Sequence, residues 1–169
     1  MSELSVGQLK GLAVNNNTIT VPSGHKLYAP GSVVQTQFLE DSAQSSHSNV
    51  SFEKLSITIS PKFASSKIYI STNFNWSSSN PNGYWTLKRN GTVIGTTSKA
   101  GYDERPAAND YDMVNTTINY LDLSGTTSPI TYSVFFNHTV QNGGVHYWNR
   151  GVLLAPTSAS TITLMEIAQ

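Results

Sequence analysis

The sequence predicts an all-β fold, a β-sandwich or jelly roll of about nine or ten short strands with an extended N-terminal arm. Three observations predict it. Apolar residues recur with a period of two wherever a pattern can be read, and no window shows a convincing 3.6-residue period. Ser, Thr and Asn stand where most soluble proteins carry charge, and these are poor helix formers whose side chains compete for the backbone. Loops rich in Ser, Gly, Asn and Pro separate the runs at short intervals.

Residues 1–31 read as the arm. Leu4, Val6 and Leu9 give a weak apolar spacing, followed by Asn15-Asn16-Asn17, a short strand from Thr18 to Val21, and the punctuators Pro22, Gly24, Pro30 and Gly31. This stretch is too short and too broken to build a core. It is expected to pack on its own sandwich or on a neighbouring chain, with Leu4, Val6 and Leu9 as candidate anchors; a partly ordered terminus is the plainer alternative.

Residues 32–169 read as the sandwich domain. Strands are expected at Ser32 to Glu40, at Leu55, Ile57 and Ile59 against Ser56, Thr58 and Ser60, and at Lys67 to Trp76. In the last, Ile68, Ile70, Thr72, Phe74 and Trp76 share one face, so Trp76 is expected inside. Tyr84 to Arg89 and Thr92 to Thr97 flank Asn90-Gly91, the preferred pair for a type I′ turn because both central residues need positive φ. Val114 to Leu121, Ile130 to Val140, Val145 to Leu154 and Thr161 to Met165 complete the set, with Ile162 and Leu164 on one face of the final strand.

Composition excludes several functions. Ten Lys plus Arg offset ten Asp plus Glu, and neither sign forms a block, so no electrostatic footprint for nucleic acid or an anionic membrane is present. Net charge near zero leaves little self-repulsion to oppose association. There is no Cys, hence no disulfide and no thiolate metal site. The longest apolar run, Val152 to Ala155, is too short to span a bilayer, and Met1 to Leu4 lacks the pattern of a signal peptide; synthesis in a cytoplasm is expected.

No constellation points to catalysis, a metal or a cofactor. His25, His47, His138 and His146 form none of the spacings that place two imidazoles on one ion, and no nucleophile elbow or phosphate loop occurs. Acidic residues gather at Asp103, Glu104, Asp110 and Asp112, where carboxylates could hold Ca²⁺ or flank a glycosidic bond; a solvated loop is the simpler reading. Aromatic rings beside polar loops suggest a sugar-binding surface, because a ring offers a flat apolar face among hydrogen-bonding neighbours. Tyr84, Tyr102, Tyr147 and Trp148 are the candidates, with core or inter-subunit packing as the alternative.

The segments Leu4-Ser5-Val6-Gly7-Gln8-Leu9-Lys10-Gly11 and Thr18 to Gln35, the hairpin Leu87 to Thr92, and the closing Ser160 to Ile167 together resemble the short fibre modules of tailed bacteriophages, especially those of cyanobacteria and other aquatic bacteria. The resemblance implies a non-enzymatic, homotrimeric virion protein, made in the host cytoplasm, whose arm joins it to other virion proteins of the tail or capsid and whose distal loops face a host cell-surface glycan. Fibres carry such a module at the end of a long chain, whereas this sequence begins at Met1; a capsid-decorating or baseplate role without host ligand is the accompanying expectation.

Overall fold

The computed structural model describes residues 29–48, 50–78, 83–94, 113–138, 144–150 and 158–169, together with Ser23. Leu4, Val6, Leu9, the strand expected at Thr18 to Val21 and the acidic loop with Tyr102 lie outside the described residues. Every regular element among the described residues is a strand: β1 (Val33–Asp41), β2 (Ser45–Ser48), β3 (Phe52–Ile59), β4 (Lys67–Ser78), β5 (Gly83–Arg89), β6 (Thr92–Ile94), β7 (Val114–Leu123), β8 (Ile130–His138), β9 (Val145–Trp148) and β10 (Ser160–Ile167). The all-β expectation holds.

Strand β4 organises the first sheet, sheet I. Strand β7 follows one edge of β4 from Lys67 to Trp76, while the other edge is shared, β10 lying against Lys67 to Asn73 and β9 against Trp76 to Ser78. Strands β1 and β2 repeat this end-to-end arrangement, β1 beside β10 and β2 beside β9. Sheet I is thus four strands wide, in the order β1/β2, β10/β9, β4, β7, and sheet II has the order β3, β8, β5, β6. With each end-to-end pair taken as one strand, the described residues form eight, ordered 1-8-3-6 and 2-7-4-5. That is the jelly-roll order, in which each sheet draws alternately on the two halves of the chain.

Alternation decides which side chains meet between the sheets. Ile68, Ile70, Thr72, Phe74 and Trp76 of β4, Ile162 and Leu164 of β10, and Ile130, Tyr132, Val134 and Phe136 of β8 are all buried, as their period of two requires. Trp85 of β5 sits at the aromatic centre, its ring centroid 4.9 Å from Phe74, 5.0 Å from Phe136, 5.6 Å from Phe52 and from Trp148, and 5.8 Å from Trp76.

Local backbone chemistry accounts for the turns and irregularities. Asn90 and Gly91 both take positive φ, 47° and 80°, and Arg89 pairs with Thr92, which is the type I′ hairpin the dipeptide calls for. In β3 the register slips between Lys54 and Ile57, at Leu55 with φ 48°. This bulge lets Leu55 and Phe52 both be buried, although strict alternation would separate them. Strand β9 stops at Trp148, short of the expected Leu154, because Asn149 turns into the left-handed region at φ 57°; residues 151–157 lie outside the described set.

Two polar latches close the sandwich. The Glu166 carboxylate of β10 is fully buried and accepts hydrogen bonds from the Lys62 and Phe63 backbone N–H groups, Ser66 Oγ and Gln35 Nε2, at 2.6 to 3.1 Å, fastening the β3–β4 connection. Arg89 donates from Nη1 to Asp122 Oδ2 at 2.9 Å and to the Leu123 carbonyl at 2.8 Å, and Tyr132 donates to the same Asp122 oxygen at 2.6 Å.

Candidate functional site

The outer face of sheet I divides into two halves along its strands. Pairing places Val33, Ile167, Lys67 and Leu123 in one row, Thr36, Met165, Tyr69 and Leu121 in the next, and Phe38, Thr163, Ser71 and Asn119 in a third. A jelly roll with a full core inside has no need of apolar side chains outside. Yet Phe38, Val33, Leu121 and Leu123 are each half exposed or more, reaching 63% at Leu123. Val33 and Phe38 stand on the edge strand β1 and Leu121 and Leu123 on the opposite edge strand β7, with Ile167, Met165 and Tyr69 on the strands between, an apolar half-face of the kind that marks an interaction site.

Beyond the third row the face turns polar and carries little charge. Glu40, Thr161, Asn73 and Thr117 align, then Asn75 and Asn115, then Ser46, Tyr147 and Ser77. Asn115 Nδ2 donates to Asn73 Oδ1 at 2.6 Å and to Asn75 Oδ1 at 2.9 Å, so the three amides are oriented by one another. Tyr147 is half-buried and stacks with the Arg150 guanidinium, 4.8 Å from the ring centre. This half offers fixed amide and hydroxyl groups beside one aromatic ring.

Of the expected glycan-binding residues, the three described ones, Tyr84, Tyr147 and Trp148, are not placed together. Tyr84 follows the opposite alternation to Trp85 and so stands on the outer face of sheet II, among Thr86, Phe135 and Asn137. Tyr147 stands on the outer face of sheet I, on the other side of the molecule. Trp148 is corrected outright: it is fully buried, stacked on Phe74 at 5.7 Å, with its indole N–H donated to Asp41 Oδ2 at 2.8 Å, because in β9 it shares the inward phase of His146. A ring in that position is core, unavailable to a sugar. Tyr102 lies outside the described residues.

At the same end of the sandwich the structure assembles three of the four histidines. His146 of β9 and His138 of β8 come from different sheets, and Nε2 of one lies 3.0 Å from Nδ1 of the other. His146 Nδ1 is 2.9 Å from Ser78 Oγ, and His47 of β2 is the direct cross-strand partner of His146, stacked on Phe52 at 3.9 Å. Burial, then the neighbouring His138 and His47, push the His146 ring down to about 4. Burial and then Lys54 lower His47. Sequence spacing could not find this group, because its members meet across strands and across the two sheets rather than along one strand. The described residues contain no group of three or more His, Cys, Asp or Glu arranged to hold a metal ion.

No family model matches the chain, and no curated protein matches it. Among solved structures, a chain of infectious bursal disease virus, Gx strain, is similar at 14% identity with a TM-score of 0.39, over 90% of this chain and 41% of that one. The present chain therefore spans well under half of the viral chain.

Proposed function

We propose that this protein is a non-catalytic structural subunit of a bacteriophage particle, assembling as a homotrimer of jelly rolls through the apolar half of the sheet I face. The observation that carries the reading is the exposure of Val33 and Phe38 at one edge of the sheet I face and of Leu121 and Leu123 at the other, joined by Tyr69, Met165 and Ile167 between them, outside the core packed between the two sheets. The occupant argued for is a second copy of the chain. Lys67 is the one charge in that half-face and the chain is neutral overall, so the surface complements an equally uncharged surface such as its own. The resemblance to short fibre modules supplies the particle and the threefold symmetry.

The test is sedimentation of the full chain beside Leu121→Asp and Leu123→Asp variants. A trimer that the charged variants convert to folded monomers supports the reading. A monodisperse wild-type monomer at micromolar concentration overturns it, and absence of the protein from purified particles overturns the virion role.

Within that reading, the polar half of the face favours host-glycan contact over pure decoration, because Tyr147, Arg150 and the oriented amides of Asn73, Asn75 and Asn115 combine ring and hydrogen-bonding groups. Saturation-transfer NMR with host surface polysaccharide should mark the Tyr147 ring. Transfer unchanged in Tyr147→Ala, or none at all, returns the protein to a decorating or baseplate role.

A further inference from the structure

The histidines at the β8–β9 end carry an inference independent of assembly. Hydrogen bonds tie sheet I to sheet II here through side chains: His146 and Ser78 belong to sheet I, His138 to sheet II, and the contact between the two rings bridges the layers. Phe136 of sheet II packs on His146 at 4.2 Å, and His47 packs on Phe52 of sheet II.

Among the described residues, the side-chain charge that acts on these rings, apart from the rings themselves, is a cation. Lys54 of β3 lies over Trp148 at 5.8 Å and bears on His47, while Asp41 of β1 is engaged by the Trp148 indole N–H. Among the described residues, the hydrogen bonds of the three rings run to each other and to the Ser45 and Ser78 hydroxyls; none runs to a carboxylate. Protonated His146, which is buried, gains no partner anion among the described residues and meets two more imidazoles, where such repulsion is felt most, while half-buried His47 also faces Lys54.

We propose that His47, His138 and His146 form an acid-released clasp between the two sheets, holding this end of the sandwich shut when neutral and letting it open when protonated. A hydrogen bond between two imidazoles needs one ring to accept, and a doubly protonated pair has two donors and no acceptor. Opening would free β2 and β9, the short strands that continue β1 and β10, while the far end stays closed by Glu166.

The sign of the pH dependence follows from linkage. His146 has an ordinary value of 6.5, which applies in the unfolded chain, whereas burial and the neighbouring imidazoles push it down to about 4 in the fold. Between those values the unfolded or opened state binds the extra proton, so the clasp is fully stabilising above pH 6.5 and weakens as pH falls toward 4. The gap corresponds to opening favoured on the order of a hundredfold more at the acid limit.

Hydrogen exchange on the full chain between pH 7.5 and 4.5 tests this, with amides of β2 and β9 read as a ratio to those of β10 at Ile162 and Leu164. The ratio should rise roughly tenfold or more in acid, and His146→Gln, which stays neutral, should abolish the rise. A ratio unchanged with pH in the wild type, or an acid rise that persists in His146→Gln, overturns the clasp. Should that variant not fold, His138→Gln at the half-buried partner serves instead, with a diminished acid rise expected and an unaltered one against the proposal. Ring-proton titration of His146 by NMR gives the second readout; a value near 6.5 in the folded protein overturns the clasp outright.

Discussion

The Ser160 hydroxyl donates to the side-chain oxygen of Asn149 at the point where β9 gives up its place beside β4 to β10. Asn149 Nδ2 donates in turn to the carbonyls of Asp41 and Ala43, at 2.7 and 3.1 Å, where β1 gives way to β2. Ser160 Oγ also accepts from the Asn75 backbone N–H, whose own carbonyl accepts from Asn149 N. One buried amide in the left-handed region therefore satisfies the backbone at both strand breaks, where the ladder cannot. Asn149→Ala should cost about 3 kcal/mol, combining orphaned buried partners with a residue that tolerates that φ poorly. Asn149→Gly relieves the strain alone, so urea unfolding should place it between alanine and wild type. Equal losses for the two would show that φ contributes nothing.

Glu166 gives a prediction with a pH window. Burial raises its carboxyl, but the bonds from Lys62 N–H, Gln35, Ser66 and Phe63 N–H outweigh that and hold it below the ordinary 4.5. The folded carboxyl is the weaker proton binder, so its contribution is present above the unfolded value and is lost as pH falls below about 4.5. Glu166→Gln turns an amide N–H₂ toward backbone donors and should cost about 2 to 4 kcal/mol at pH 7, with the difference from wild type shrinking in acid. A constant difference from pH 7 to pH 3 would show that the carboxylate charge is not what the donors recognise.

Much of this fold was legible in the sequence, and the exceptions share a cause. The inward run Ile68 to Trp76 alternates strongly enough to fix its own phase, and Asn90-Gly91 specifies its turn by backbone chemistry alone. Val145-His146-Tyr147-Trp148 has no such asymmetry: both phases contain one large ring, so the sequence could not say whether Tyr147 or Trp148 faces the core. The Leu55 bulge is likewise silent, since an extra residue resets the phase without a glycine to announce it. The apolar half-face depends on register across four strands, and the histidine clasp on contacts between sheets, neither of which a linear pattern encodes.

Gly83 opens β5 where the chain passes over Phe136. A Cβ added there would fall 2.6 Å from the Phe136 Cε1 atom and 2.8 Å from the Asn137 carbonyl oxygen, and closer still to Cζ of the same ring. Phe136 is wedged between Trp85 and His146 and cannot swing away freely. Gly83→Ala should therefore cost about 1 to 3 kcal/mol by overpacking, in spite of alanine's better strand entropy. Pairing it with Phe136→Leu should recover part of the loss in a double-mutant cycle; strict additivity would place the strain elsewhere.

Tyr132 is buried in the core with its hydroxyl on Asp122, and burial, then that bond and the carboxylate's charge, hold its proton well above the ordinary 10.0. It should stay neutral until alkali unfolds the chain. Ultraviolet titration of Tyr132→Phe should then overlay that of the wild type up to the unfolding transition, while thermal stability drops by about 1 to 2 kcal/mol because Asp122 keeps Arg89. A lost tyrosinate step before unfolding would mean that the ring is reached by solvent.

Tyr147 and Trp148, neighbours in sequence, should behave as residues of different compartments. Trp148 packs against Trp85 and Phe74 and anchors Asp41, so Trp148→Ala leaves a large cavity and strips Asp41 Oδ2 of the indole donor, at a cost of about 3 to 5 kcal/mol. Tyr147 faces outward on sheet I with Arg150 on its ring, an arrangement worth about 1 kcal/mol or less. Urea midpoints of the two alanine variants should therefore differ severalfold in their displacement from wild type. Tyr147→Ala matching Trp148→Ala would mean that its ring serves the fold, leaving the polar half of the face without the aromatic group a sugar needs.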